Sequence, residues 1–176
     1  RTESMEKFVI AVYVDNQFGV LTRVTSMFTR RGFNIDSLTV GETETPAYSR
    51  ITITMSGTGY ARAQLINQLR KLFNVKRVEV LDPATSFERE LMLLKVENNA
   101  ATRQDVLAAV DIFRAKIIDY SPTALCIEVT GDPSKISAFI ENMKPYGILE
   151  LCRTGVVALE RGAGSMLEKT PGAYEY

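Results

Sequence analysis

The run Asp15-Asn16-Gln17-Phe18-Gly19-Val20-Leu21 carries the residues most able to do chemistry, and Asn34 and Ile35 stand at the start of the strand that should follow it. The run reads as the end of a strand, a glycine turn and the start of an amphipathic helix. A helix N-terminus leaves its first N–H groups unpaired and carries about half a positive charge, so it can hold a carboxylate or phosphate oxygen. Gly19 lacks a Cβ, which lets a small ligand approach the N–H groups of Gly19, Val20 and Leu21 closely. Asn16 and Asn34 add side-chain amides, whose oxygens could accept from an ammonium. A plainer reading is that Asp15 or Asn16 caps the helix and Gly19 only turns the chain.

Other chemistry is poorly supplied. The chain has no histidine, which removes the usual general base, the commonest metal ligand and any Ser–His or Cys–His dyad. Cys126 and Cys152 each sit in an apolar strand-like run and are expected to be buried thiols, with no metal site. The 21 basic and 21 acidic residues cancel, leaving no electrostatic footprint for nucleic acid or an anionic membrane. No apolar run reaches the ~18 residues of a membrane helix, and no signal-peptide pattern is present, so a soluble, cytoplasmic protein is expected.

The elements that must position the turn follow from periodicity. Residues 8–14 are rich in β-formers and apolar on both faces, the pattern of a central strand. The helix spans 20–31, with Val20, Val24, Met27 and Phe28 on one stripe and Arg23, Arg30 and Arg31 off it; Gly32 suits its left-handed stop. Strands at 34–40 and 50–56 flank an exposed loop containing Pro46. A helix over 61–73 carries Leu65, Leu69 and Leu72, and a strand at 76–81 closes the unit. After a polar break the same order returns: strand 91–96, helix 102–114, strands 115–120 and 124–130, a helix opened by Asp132 and Pro133, and a last strand at 148–159, bent at Gly155. The order β-α-β-β-α-β occurs twice, so the fold class is α+β, two tandem ferredoxin-like domains. Domain limits are expected at 5–82 and 88–160, with 161–176 a disordered tail. The repeats differ chemically: the second turn reads Glu97-Asn98-Asn99-Ala100, with no glycine.

Asn16-x-x-Gly19-Val20-Leu21-x-Arg23-Val24, with Arg31-Gly32-Phe33-Asn34-Ile35-x-Ser37-Leu38-Thr39-Val40, resembles the ACT domain of the acetohydroxyacid (acetolactate) synthase regulatory small subunits. The likeness continues through Glu88–Leu93, Phe113–Asp119, Thr130-Gly131 and Arg153-Thr154-Gly155. The resemblance implies a non-catalytic chain with no metal or cofactor of its own. Its partner would be a catalytic subunit that uses thiamine diphosphate, Mg2+ and FAD to condense pyruvate with a second 2-ketoacid, early in branched-chain amino-acid synthesis. The small subunit would activate that enzyme and confer feedback inhibition by valine or another branched-chain amino acid. It further implies a homodimer with two ACT sheets side by side. Valine would then be held by Asn16, Gly19, Val20 and Leu21 of one protomer and Asn34 and Ile35 of the other. Gln64, otherwise a solvated helix residue, would by the same resemblance serve coupling to the catalytic subunit.

Three rival functions share parts of this pattern. An RNA-binding module of the same plan needs stacking aromatics on its central strands, and Arg50-Ile51-Thr52-Ile53-Thr54 has none. A small acyl-phosphate hydrolase lacks histidine and a paired carboxylate cluster. A stand-alone ACT-domain sensor acting on another target keeps the same ligand turn, and only the second-half motifs speak against it.

Overall fold

A computed structural model describes residues 4–31 and 33–167. The first half runs β1 (Glu6–Asp15), α1 (Val20–Arg31), β2 (Ile35–Glu42), β3 (Tyr48–Gly57), α2 (Gly59–Arg70) and β4 (Val75–Leu81). The second runs β5 (Ser86–Glu97), α3 (Arg103–Ile112), β6 (Lys116–Tyr120), β7 (Ala124–Gly131), α4 (Pro133–Met143) and β8 (Ile148–Arg153), followed by a short β9 (Val157–Glu160). The β-α-β-β-α-β order therefore occurs twice, as periodicity predicts. The expected single strand over 148–159 is instead two, parted at Gly155, whose φ is +85°.

Two units form. One contains the chain through Phe87 and again from Ala158, and the other is Glu88–Val157. The first unit thus takes back the end of the chain, where a boundary at 160 and a disordered tail from 161 are expected. Residues 168–176 of that tail lie outside the described residues.

In the first unit the antiparallel sheet has the order β2-β3-β1-β4. β1 is central, which is why it is apolar on both faces. On one face Val20, Val24, Met27 and Phe28 of α1 and Leu65 and Leu69 of α2 close over Ile10, Val12, Ile51 and Ile53. On the other, Val9, Ala11, Tyr13 and Leu81 are covered by Ala158 and Met166. Arg50 ties this cover down: its guanidinium donates to the Ala158 carbonyl at 2.6 Å and lies 5.7 Å from the Tyr13 ring. The segment after 160 has no periodicity to announce such a role. Ala158 and Met166, with Tyr48 and Leu167 packed beside them, cover that strip of β1.

The second unit has the order β6-β7-β5-β8, with α3 and α4 packed on one face. Phe113 and Phe139 meet edge to face at 5.2 Å between α3 and α4. Glu90 is buried and accepts from Arg153 at 2.6 and 2.9 Å, pinning β8 to β5 through a paired charge. Thr154 adds a backbone and a side-chain bond to Leu91. Two of the family-like motifs of this half, those around Glu90 and Arg153, therefore lock β5 to β8. The two cysteines are not buried as expected: Cys126 is half-buried and Cys152 exposed. Their strands are apolar enough, but both thiols point to the face that the helices leave open.

Corresponding helices stop in the same way. Gly32, the expected left-handed stop of α1, lies outside the described residues, but Phe33 N–H reaches the Phe28 carbonyl at 3.1 Å and the two rings meet at 6.2 Å. In α3 the Ala115 N–H reaches Val110 O at 2.9 Å and the Arg114 N–H reaches Asp111 O at 3.1 Å, the paired closure of a Schellman motif. The left-handed position there is Arg114, at φ 52°. An L side chain is strained in that region, and glycine is not. Arg114→Gly should therefore raise unfolding free energy by up to about 1 kcal/mol. Arg114→Ala should not, and urea denaturation of the two variants distinguishes them.

Candidate functional site

The turn between β1 and α1 is open at the helix start. Gly19 adopts φ +84°, and nothing lies within 4 Å of where a Cβ would stand. The Val20 N–H reaches Gln17 O at a long 3.4 Å. Among the described residues, the N–H groups of Gly19, Leu21 and Thr22 have no hydrogen-bond partner. The Val20 side chain is buried in the core, so Val20 can offer a ligand only its backbone. Leu21 is 42 % exposed, and Phe18 beside it is fully exposed. The turn thus combines unpaired donors, positive helix-end potential and nearby apolar surface, a set suited to a small zwitterion with an apolar side chain.

Neither Asp15 nor Asn16 caps α1. The Asp15 carboxylate pairs with Lys76 at 3.6 Å. The Asn16 amide nitrogen donates to Pro46 O at 3.1 Å and to Glu42 Oε1 at 3.3 Å, while its backbone N–H donates to Ala47 O at 2.8 Å. Asn16 therefore fastens the turn to the β2–β3 hairpin and keeps its side-chain oxygen as an acceptor. Glu42, Asn74 and Lys76 around the turn carry no motif that sequence reasoning could have caught.

The second unit shows the same tie and the opposite outcome. Asn98 N–H donates to Thr123 O at 3.0 Å and its amide nitrogen to Ser121 O at 2.6 Å, repeating the bonds of Asn16. Here, however, the Asn99 side-chain oxygen takes the N–H groups of Ala101 and Thr102 at 3.0 and 3.1 Å. Arg103 Nε donates to the Asn98 oxygen at 2.8 Å. The donors and the acceptor that stay open in the first turn are filled by the chain's own side chains in the second.

Asn34 and Ile35 are not near Gly19 within one chain. Ile35 pairs with Met55, and Met55 with Phe8, whereas the turn follows Asp15, which pairs with Tyr48. At about 3.3 Å per residue, the two groups stand at opposite ends of the sheet, roughly 20–25 Å apart. Asn34 is exposed and Ile35 half-buried, at the head of the edge strand β2. Gln64 is an exposed residue of α2 whose amide donates to Tyr60 Oη at 2.7 Å. No described bond joins it to the turn. Among the described residues no cluster of His, Cys, Asp or Glu could hold a metal ion, and no helix is long and apolar enough to cross a membrane.

Residues 10–77 match a family described as the AHAS small subunit-like ACT domain, and residues 89–162 one described as the small subunit of acetolactate synthase. A probable acetolactate synthase small subunit of Methanothermobacter thermautotrophicus is 45% identical over 90% of this chain and 95% of its own length. One from Archaeoglobus fulgidus is 49% identical over 89% of this chain and 98% of its own. The crystal structure of the acetolactate synthase small subunit of Thermotoga maritima superposes with a TM-score of 0.84 at 40% identity, covering 90% of this chain and 99% of that one.

The geometry of the turn predicts the cost of closing it. A Cβ at Gly19 meets open space, so Gly19→Ala loses only the left-handed backbone preference, about 1–2 kcal/mol. The variant should fold with a urea midpoint lowered accordingly and an unchanged denaturant slope.

Proposed function

The chain belongs to the family of acetolactate synthase small subunits, and on that premise we propose that it is the regulatory, non-catalytic partner of a catalytic subunit and a sensor of valine or a related branched-chain amino acid. The observation that carries the proposal is the open start of α1, with its unpaired N–H groups at Gly19, Leu21 and Thr22. An amino-acid carboxylate would accept from these groups, its ammonium would donate to the Asn16 oxygen, and Leu21 would cover part of its side chain. Thiamine diphosphate, Mg2+ and FAD would belong to the catalytic subunit.

A second copy would complete the site. β2 is an edge strand and would otherwise present unpaired backbone groups. Antiparallel pairing of two β2 strands would join the sheets side by side and set the head of one β2 against the end of the other. The end of β2 is Glu42, which bonds Asn16. The partner's Asn34 and Ile35 would thereby arrive at the ligand turn that their own chain holds far away. Feedback then follows if valine shifts the subunit between states of different effect on the enzyme, with a coupling of about 1–3 kcal/mol.

Valine at about 100 times its dissociation constant should add roughly 2.7 kcal/mol of stability. A thermal-shift series should show this rise for at least one of valine, leucine and isoleucine and none for lysine. Gly19→Asp sets a carboxylate where the ligand's should lie, at a helix end that tolerates negative charge. It should remain folded and activating, and lose the valine response.

A further inference from the structure

The ligand turn is held at both ends by one residue of the following β4 connection. Asn74 precedes β4 and is 9 % exposed. Its carbonyl accepts the Asp15 N–H at 2.9 Å, at the last residue of β1. With its side-chain amide oriented so that both ends are satisfied, the nitrogen donates to Asp15 Oδ2 at 3.1 Å and the oxygen accepts from Arg23 Nη1 at 3.2 Å. Arg23 lies on the first turn of α1, so one buried amide bridges the residue before the ligand turn to the residue after it. Lys76 completes the chain by pairing with Asp15 at 3.6 Å.

The second unit separates what this arrangement does for the fold from what it does for the turn. Gly147 occupies the place of Asn74, and its carbonyl accepts the Glu97 N–H at 2.9 Å, so the backbone clasp is common to both units. The side-chain bridge is not, because Gly147 has none, and a Cβ there would come within 2.8 Å of Glu97 Oε2. Folding of the repeat thus needs the carbonyl alone. The amide bridge accompanies only the turn whose donors are left open.

We propose that Asn74 is a positioning residue, which with Arg23 and Asp15 forms a brace that holds the turn Asn16–Gly19 in its ligand-ready shape. Unpaired N–H groups cost conformational freedom to align, and a brace that fixes the strand end and the helix start meets that cost before the ligand arrives. Asn74 itself is buried and acts through Asp15 and Arg23. The affinity half of this proposal rests on the amino-acid reading of the turn, whereas the conformational half does not.

Two measurements on the full-length chain keep those halves apart. Hydrogen–deuterium exchange of the free protein, followed on peptides spanning residues 15–22, reads the brace directly. Calorimetric titration with valine reads its consequence. Asn74→Ala and Arg23→Ala should each speed exchange of the turn and weaken valine about tenfold, the size expected for one lost charge-assisted bond. Combining them should add little, because both break the same unit. Asp15→Asn/Asn74→Asp exchanges donor and acceptor across the pair and should restore slow exchange and affinity. All three effects on exchange should appear at peptides 15–22 with exchange elsewhere unchanged, which a merely structural role would not give. If Asn74→Ala fails to fold, Arg23→Ala carries the test from the exposed side of the brace. Unchanged exchange in the folded variants overturns the proposal, as does unchanged valine affinity beside a wild type that binds. Faster exchange beside a wild type that never binds valine upholds the brace and overturns the amino-acid reading.

Discussion

The function proposed for the first unit turns on backbone donors at the start of α1 that the protein itself leaves unpaired. Such groups are costly to bury and cheap to expose, so they persist where something else completes them or where water does. Gly19 puts them at the surface with φ +84° and no side chain overhead. Asn16, whose type alone would suggest a cap, is diverted to Pro46 and Glu42. Asp15 is diverted to Lys76. The Asp15 carboxylate is bonded elsewhere, and Asn16, tied to the hairpin through its amide nitrogen, keeps an oxygen that does not take up the helix donors, which makes the opening a property of the whole turn.

The internal repeat supplies a control within one chain. Asn16 and Asn98 make the same ties to their hairpins, so those ties belong to the fold. Asn99 and Arg103 then close the second turn from within, and Glu90 with Arg153 locks β8 to β5 at the other end of the sheet. The second unit is thus organised around internal satisfaction, and the first around an opening. A duplicated fold can divide labour in this way through a few side chains, with no change of topology.

Much of this was legible in the sequence. Strict stripes such as Val20, Val24, Met27 and Phe28 fix a helix face, and β1's two-sided apolar pattern marks it as central, because both signals arise from burial. Asp132 and Pro133 announce the start of α4, and Asp132 caps it by accepting from Lys135 N–H at 2.8 Å. The open turn at Gly19 was legible because glycine carries its conformational preference locally. What stayed hidden was set by partners far along the chain. Met166 covers β1 without any periodic signal, the cysteines' exposure depends on which sheet face the helices choose, and Asn74 reads as an ordinary loop residue until β1 and α1 stand on either side of it. The α1 capping question could not be decided locally for the same reason: the competing partners sit in the β2–β3 hairpin and at the start of β4.

In the proposed dimer, one copy's turn and the other copy's β2 head make one site. Mixing tests it most directly. Gly19→Asp and Asn34→Ala homodimers should each fail to bind valine in calorimetric titration. After mixing and exchange of subunits, each mixed dimer should regain one intact site, since the Asn34→Ala copy supplies Gly19 and the Gly19→Asp copy supplies Asn34. Valine binding should therefore return at about half the wild-type stoichiometry in the mixed dimers. A mixture whose chains exchange but which stays as inert as its parents would contradict a site shared between two copies.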